Sequence, residues 1–305
     1  MKKILKENRV LIFLILIFAL EAILFSAGNA RIEEQIKIEE RKFERLEKKL
    51  SDLTLVAKAV SVNNLTTGRK LYGNNENVPM PLASLVKTMT AIVALDNYDK
   101  DSTISLKEEA IKQNGDFGLF ANEKWKIADL IKLTLTSSAN DGAYMLALND
   151  ENFLDKMNAK AKRLGMNSTT FYNVTGLDIK ENDTDLLDVP TKEGQAGAYG
   201  SAEDMNILAN YGLLSYPEIF KATTVPELEL KSESGFVHKV LNTNVIIDKI
   251  PNIIFSKTGF TEITGGNLSV VFINKEGEEI AITLLGSTID ERFTDMEKIV
   301  NVLYN

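Results

Sequence analysis

Ser84-Leu85-Val86-Lys87 sets a hydroxyl and an amine three residues apart, and it is the one S-x-x-K in the chain. On a helix, residues at that spacing share a face, so the amine can approach the hydroxyl. Serine is a poor nucleophile until a base takes its proton. Lysine is such a base only if burial or a second cation lowers its pKa. The start of a helix would add positive potential where the serine oxygen becomes anionic. The plainer alternative is a serine that caps a helix beside an ordinary surface lysine. Against it, Lys87 lies in a mostly apolar stretch, LASLVKTMTAIVAL.

Two further groups invite chemistry. Ser138-Ala139-Asn140 lies between two helical stretches, so a hydroxyl and an amide can both point into a cleft. The hydroxyl can relay a proton to a leaving amine, and the amide can hold a substrate backbone or the catalytic lysine. The same residues also suit a helix N-cap cluster. Ser61-Val62-Asn63 repeats the pattern on a strand upstream of Ser84 and is assigned no role. Lys257-Thr258-Gly259 ends the apolar segment NIIFS. A strand edge with a glycine lets a peptide lie alongside as an added strand, and the cation and hydroxyl can bind its carboxylate. Taken alone, it could equally be a strand end with a turn glycine.

The elements that must hold these groups can be read from periodicity. VAKAVSVNNL, TTGRK and KLYGNN read as a β-hairpin. After Pro79 and Pro81, Leu85, Met89, Ile92 and Val93 mark one face of a helix. Residues 106–113, 127–136, 140–149 and 152–164 also read as helices, and Ser201 and Asp204 begin another at capping-box spacing. PELELK, FVHKVL, NIIFSK and NLSVVFINKEGEEIAITLLG read as strands, the last a hairpin turning at residues 274–277, and TIDERFTDMEKIVNVLY as a closing amphipathic helix. Strands, a block of helices, strands and a helix imply an α/β (α+β) fold: an antiparallel sheet flanked by helices, with a helical subdomain inserted in it.

The N-terminus differs in texture. Residues 1–9 carry Lys2, Lys3, Lys6 and Arg9, and residues 10–28 are apolar apart from Glu21. Basic residues ahead of an apolar run keep the N-terminus in the cytoplasm and export the rest of the chain. The run is read first as an uncleaved single-pass transmembrane anchor. The alternative is a signal peptide processed near Gly28 and Ala30, which would release a secreted enzyme. In residues 29–53, Ile32, Ile36, Phe43, Leu46, Leu50 and Leu53 follow a heptad seam in a charged background. That predicts a helical stalk, either a solvated single helix or a short coiled coil. Residues 54–305, which hold the three groups above, are expected to form one catalytic domain.

Composition excludes several classes. With net charge −8 and a pI near 5.0, nucleic-acid binding is not expected. With no cysteine, disulfides, thiol catalysis and cysteine zinc sites are excluded. The single histidine, His238, is all that a Ser-His-Asp triad could use, and it lies in a strand-like segment with no partner motif. No cofactor or metal is expected.

S-x-x-K, S-x-N and K-T-G therefore occur in that order, at a helix start, an interhelical loop and a sheet-edge strand. In this the chain resembles the serine D-alanyl-D-alanine carboxypeptidases, the low-molecular-mass penicillin-binding proteins of β-lactamase/transpeptidase-like fold. KRLGMNSTTFYNVTGLD, YGSAEDMNILA, HKVLNTN and FSKTGFTEITGGNL extend the resemblance over residues 54–305. The resemblance implies that Ser84 attacks the penultimate D-Ala carbonyl of a peptidoglycan stem peptide, with Lys87 as base. It gives proton relay to Ser138, positioning to Asn140, and carboxylate binding to Lys257 and Thr258. Gly259 completes the strand motif, and the backbone N–H groups of Ser84 and Phe260 form the oxyanion hole. Asn244 and Asn267 support the site from behind, Asp141 caps a helix, and β-lactams are expected inhibitors. Val86 and Gly142 replace commoner Thr and Ala, and residues 179–197 look like an acidic insertion near the cleft. The C-terminus leaves no room for the all-β second domain and amphipathic anchor of many relatives, so the N-terminal anchor would serve instead. A class A β-lactamase would need an E-x-x-L-N between Asn140 and Lys257, which is absent. A D,D-endopeptidase and a non-catalytic cell-wall-binding homologue remain as alternatives.

Overall fold

Alternating β-branched and aliphatic residues at both ends of the domain come together in one five-stranded antiparallel sheet. In the computed structural model, which describes residues 31–112, 114–179 and 194–304, its strands are β1 (Ala59–Asn64), β2 (Arg69–Asn74), β3 (Ile253–Thr261), β4 (Gly265–Ile273) and β5 (Glu279–Ser287). Their order is β3-β4-β5-β1-β2, so the N-terminal hairpin closes against the last strand and β3 is left as an edge. The β1–β2 hairpin and the turn at residues 274–277, with Gly277 at φ +81°, are as the sequence predicts.

Between β2 and β3 lies the helical block: α1 (Val86–Asn97), α2 (Ile127–Ser137), α3 (Asn140–Ala147), α4 (Phe153–Arg163) and α5 (Ala202–Ser215), with α6 (Glu291–Tyr304) closing the chain. Ser201 caps α5 by accepting the Asp204 N–H at 3.1 Å. Asn206 of α5 donates to the Ser61 carbonyl at 3.2 Å and accepts from the Thr283 hydroxyl at 2.7 Å, pinning α5 to the sheet. The side chains of the upstream S-x-N join in, since Asn206 also donates to Ser61 Oγ at 3.1 Å and Asn63 Oδ1 at 3.0 Å. Val60, Val62, Ile282 and Leu284 alternate with these polar positions and are fully buried too, so the central strands are covered on both faces.

Three expectations need correction. The apolar spacing predicts a single buried face for α1, but every residue from Val86 to Ala94 is buried, because this helix runs through the core. The helix expected over 106–113 shrinks to Glu108–Ile111, flanked by a short hairpin of Thr103–Ser105 with Lys124–Lys126 that the sequence reading lacks. Strands of three residues have no periodicity to read; this pair is fixed by burial of Trp125 between two exposed lysines. Asp141 is the second residue of α3 and not its N-cap, which is Ala139; Asp141 Oδ1 accepts the Gly142 N–H at 2.8 Å, while Oδ2 is taken up by a neighbouring loop. Glu227–Lys231 and Val237–Leu241 form a hairpin of their own.

The chain divides into two units, residues 1–49 and 50–305. In the first, residues from 31 onward are helical, as the stalk requires, with Ile32 and Ile36 exposed. Among the described residues no helix is long and apolar enough to cross a membrane. The segment read as an anchor, residues 10–28, and residues 180–193 of the insertion lie outside the described residues. The ends of the insertion pair with each other, through Ile179 N–H to the Gln195 carbonyl at 2.8 Å and Gly194 N–H to the Ile179 carbonyl at 3.1 Å.

Candidate active site

Ser84 sits in a 3-10 turn, Ala83–Leu85, that leads directly into α1. Ala83 is left-handed at φ +46°, and Ser138, at the C-terminus of α2, is left-handed at φ +62°. Each such residue without glycine's freedom costs about 1–3 kcal/mol, and strain of this kind collects where side chains must be aimed. Ser84 is half-buried, whereas Lys87 one turn on is completely buried. The Lys87 amine donates to Ser84 Oγ at 2.8 Å and to the Thr175 carbonyl at 2.7 Å. Burial pushes its pKa down to about 7, while the Asp141 carboxylate pulls the other way.

The Thr175 carbonyl is not among the groups that the sequence points to. It belongs to the turn Val174-Thr175-Gly176-Leu177, which Asn173 shapes by accepting the Gly176 N–H at 2.7 Å and donating to the Leu177 carbonyl at 2.9 Å. Gly176, at φ +82°, lies so close to the nucleophile turn that a Cβ would fall 2.0 Å from the Ala83 carbonyl oxygen. The glycine of V-T-G-L-D is thus the readable trace of a backbone acceptor that has no code of its own.

Lys257 comes in from β3 and is buried to 1 % exposure. Its amine donates to Ser138 Oγ at 2.9 Å and to the Thr258 carbonyl at 2.9 Å. Burial, then the positive charges of Lys87 and Arg292, push its pKa well below the usual lysine value. Thr258 Oγ1 is 2.6 Å from Thr243 Oγ1, in the Asn242-Thr243-Asn244 element. Gly259 lies against the nucleophile turn: a Cβ there would meet the Leu82 carbonyl oxygen at 2.9 Å and the Ser84 nitrogen at 3.3 Å. Phe260 comes next, half-exposed on the edge strand.

Ser84, Lys87, Ser138, Lys257, Thr258 and Gly259 thus lie in one cluster, joined by the Lys87–Ser84 and Lys257–Ser138 bonds, the Lys87–Lys257 charge interaction and the contact of Gly259 with the Ser84 turn. Neither Ser138 nor Asn140 hydrogen-bonds to Lys87. Ser138 bonds to Lys257, and the Asn140 amide donates to the Asn114 carbonyl at 2.6 Å. The Asn140 oxygen is buried without a hydrogen-bond partner among the described residues. Asn244 donates to Ser256 Oγ at 2.8 Å, and Asn267 donates to the Pro81 and Leu82 carbonyls at 3.0 and 3.1 Å. Both therefore hold the strand and the nucleophile turn from behind. Arg292 of α6 is a further group that the sequence does not point to. Its guanidinium donates to the Gly259 carbonyl at 2.7 Å, and burial pushes it down to about 10 with Asp290 opposing. No motif surrounds it, so only the fold brings it to β3. His238 lies elsewhere, buried among Phe117, Phe120 and Trp125, with Nε2 2.6 Å from Glu123 Oε1.

The D-alanyl-D-alanine carboxypeptidase family model matches residues 46–288. The chain belongs to this family. D-alanyl-D-alanine carboxypeptidase DacF of Bacillus subtilis is 30% identical over 268 residues, covering 85% of this chain and 64% of the relative. A D-alanyl-D-alanine endopeptidase of Pseudomonas aeruginosa is 30% identical over 220 residues, covering 69% of this chain and 65% of the relative. The chain thus spans just under two thirds of the length of these curated relatives. Among solved structures, penicillin-binding protein D2 of Listeria monocytogenes in its cefotaxime-bound form shares 29% identity at a TM-score of 0.66, covering 83% of this chain and 99% of that one. The Streptomyces K15 DD-transpeptidase shares the fold at a TM-score of 0.71, 22% identity and coverage of 82% and 97%.

Proposed function

We propose that the chain is a membrane-anchored serine D-alanyl-D-alanine carboxypeptidase that trims peptidoglycan stem peptides through a Ser84 acyl-enzyme. The observation that carries this is the buried Lys87 amine 2.8 Å from Ser84 Oγ, in a chain of this family. With a pKa near 7, Lys87 is substantially neutral at physiological pH and able to take the serine proton. Ser84 then attacks the penultimate D-Ala carbonyl. The backbone N–H groups of Ser84 and Phe260 receive the oxyanion, a pairing supported by the close fit of Gly259 against the Ser84 nitrogen. Lys257 donates to Ser138 Oγ, so Ser138 can pass its hydroxyl proton to the departing D-Ala amine as it takes one from the Lys257 ammonium. Thr258 and Lys257 bind the terminal carboxylate, with Thr243 and the buried Arg292 guanidinium adding a hydroxyl and positive charge behind the strand. Asn140, at the start of α3 beside Ser138, positions the substrate. Water then hydrolyses the ester. Residues 10–28 would hold the catalytic domain on the outer side of the cell membrane, with residues 1–9 in the cytoplasm and 29–53 as the stalk.

A second reading, D,D-endopeptidase, is favoured by the endopeptidase of P. aeruginosa among the relatives. Both reactions use the same residues and differ in the group on the leaving side of the scissile bond. Product analysis separates them. With a pentapeptide muropeptide the enzyme should release D-Ala and Ser84→Ala should release none. Cleavage of a cross-linked dimer without pentapeptide trimming would replace the first reading with the second, and D-Ala release by Ser84→Ala would overturn both.

A further inference from the structure

The segment 114–119 takes no part in the proposed chemistry, yet it is tied closely to the start of α3. Asn140 holds it through its side chain, at the Asn114 carbonyl (2.6 Å), and through its backbone N–H, at the Gly115 carbonyl (3.4 Å). Asp141 holds it through two backbone donors: its Oδ2 accepts the Phe117 N–H at 2.9 Å and the Leu119 N–H at 3.4 Å, while Oδ1 accepts the Gly142 N–H at 2.8 Å. The Asp141 side chain is completely buried, so every acceptor bond it makes there replaces water. Gly115 is left-handed at φ +68°, and a Cβ on it would lie 2.7 Å from the Asn140 amide nitrogen. One carboxylate oxygen thus serves the first turn of α3 while the other holds the loop.

We propose that Asp141 is a positioning residue that straps the 114–119 loop onto the start of α3, and that the strapped loop fixes the orientation of the Asn140 amide. The inference rests on the proposed carboxypeptidase function and adds a residue outside the three motifs. Asp141 also acts on the base. The charged groups that bear on Lys87 from the elements packed against it are Asp141 from α3 and Lys257 from β3, and Asp116 from the loop bears on Asp141. The Asp141 carboxylate favours the protonated form of Lys87, so removing that charge lets the Lys87 pKa fall further. The sign is distinctive: loss of the strap weakens binding, while loss of the charge makes the base available at lower pH.

Two variants of the full chain separate these effects. Asp141→Asn removes the charge and replaces one acceptor oxygen with a donor. Gly115→Ala disturbs the loop against Asn140 and leaves the charge in place. Acylation by one β-lactam, resolved into the dissociation constant of the first complex and the limiting acylation rate, is measured across pH. Both variants should weaken the first complex by about tenfold, the scale of one buried hydrogen bond. Only Asp141→Asn should move the ascending pH limb to lower pH. Wild-type binding in either folded variant, or a limb that stays put in Asp141→Asn, overturns the proposal. Hydrogen exchange at Phe117 and Leu119 gives a readout independent of acylation. Faster exchange in Asp141→Asn supports the strap even if wild type proves unreactive to β-lactams, which would sink the proposed function alone. Unchanged exchange overturns the strap. Should Asp141→Asn fail to fold, a Gly115→Ala enzyme that binds normally also overturns it.

Discussion

A serine with a lysine three residues on is common in helices; what sets Lys87 apart, and suits it to the proposed role of base, is that nothing of it reaches water. The spacing was legible in the sequence, and so was the apolar stretch that implies burial. Ser138 and Lys257 were legible for the same reason: each is a reactive group inside a short pattern. The Thr175 carbonyl and Arg292 were not, because a backbone acceptor leaves no side-chain signature and Arg292 reaches β3 only through the packing of α6. His238 shows the converse, a chemically able residue placed to hold structure. Its ring meets Glu123 in an aromatic surround, and Glu123 also accepts the Phe120 N–H at 3.1 Å. His238→Gln should therefore lower stability by about 1–3 kcal/mol, the cost of disturbing a buried polar pair. Its acylation rate should stay within about tenfold of wild type, since the ring touches none of the reacting groups. Thermal melting and β-lactam labelling measure the two; a folded variant that loses acylation beyond that margin would give His238 a place in the chemistry.

The elements meet at glycines. β3 is an edge strand, as the proposed peptide binding requires, and Gly259 lets it run against the backbone of the turn that carries Ser84. Gly259→Ala would place a methyl group 2.9 Å from the Leu82 carbonyl oxygen, closer than real Cβ contacts come. The strand must then shift away from Ser84, carrying the Phe260 N–H with it. Displacing one oxyanion donor costs on the order of 100-fold in rate, so the acylation rate should fall by about that factor. Circular dichroism should show the sheet intact. A normal rate would mean that Phe260 is not a donor. The sheet-edge location was inferred from K-T-G alone. The 3-10 turn at Ser84 was not foreseen, because its left-handed Ala83 is imposed by Gly176 and Gly259 from distant parts of the chain. The Thr103–Ser105 hairpin escaped notice because its three-residue strands owe their pairing to Trp125 in the core.

At the scale of the whole molecule, the order strands, helices, strands, helix was enough to infer an inserted helical subdomain. The neighbour order β3-β4-β5-β1-β2 was not readable, since the pairing of β1 with β5 joins residues at opposite ends of the unit 50–305, such as Ala59 with Leu285. The N-terminal segment, residues 1–53, carries a separate expectation. If residues 10–28 anchor the chain, penicillin-labelled full-length protein should sediment with membranes and withstand a high-salt wash. After cleavage within 29–53, the labelled domain should become soluble. Label in the soluble extracytoplasmic fraction, on a chain shortened near Ala30, would instead establish a signal peptide.

The Ser84–Lys87 couple is tested most directly by the acylation rate against pH, with one β-lactam, for wild type, Lys87→Arg and Lys257→Arg. Lys87 must be neutral to accept a proton, and its pKa lies at about 7. The wild-type rate should thus rise about tenfold per pH unit below that value and level off above it. Lys87→Arg should abolish acylation, because a guanidinium stays protonated at any usable pH. Lys257→Arg should be milder, since that position needs a cation and donor for the carboxylate. Near-normal acylation by Lys87→Arg, or a Lys257→Arg variant as inactive as Lys87→Arg, would contradict the assignment of Lys87 as the base.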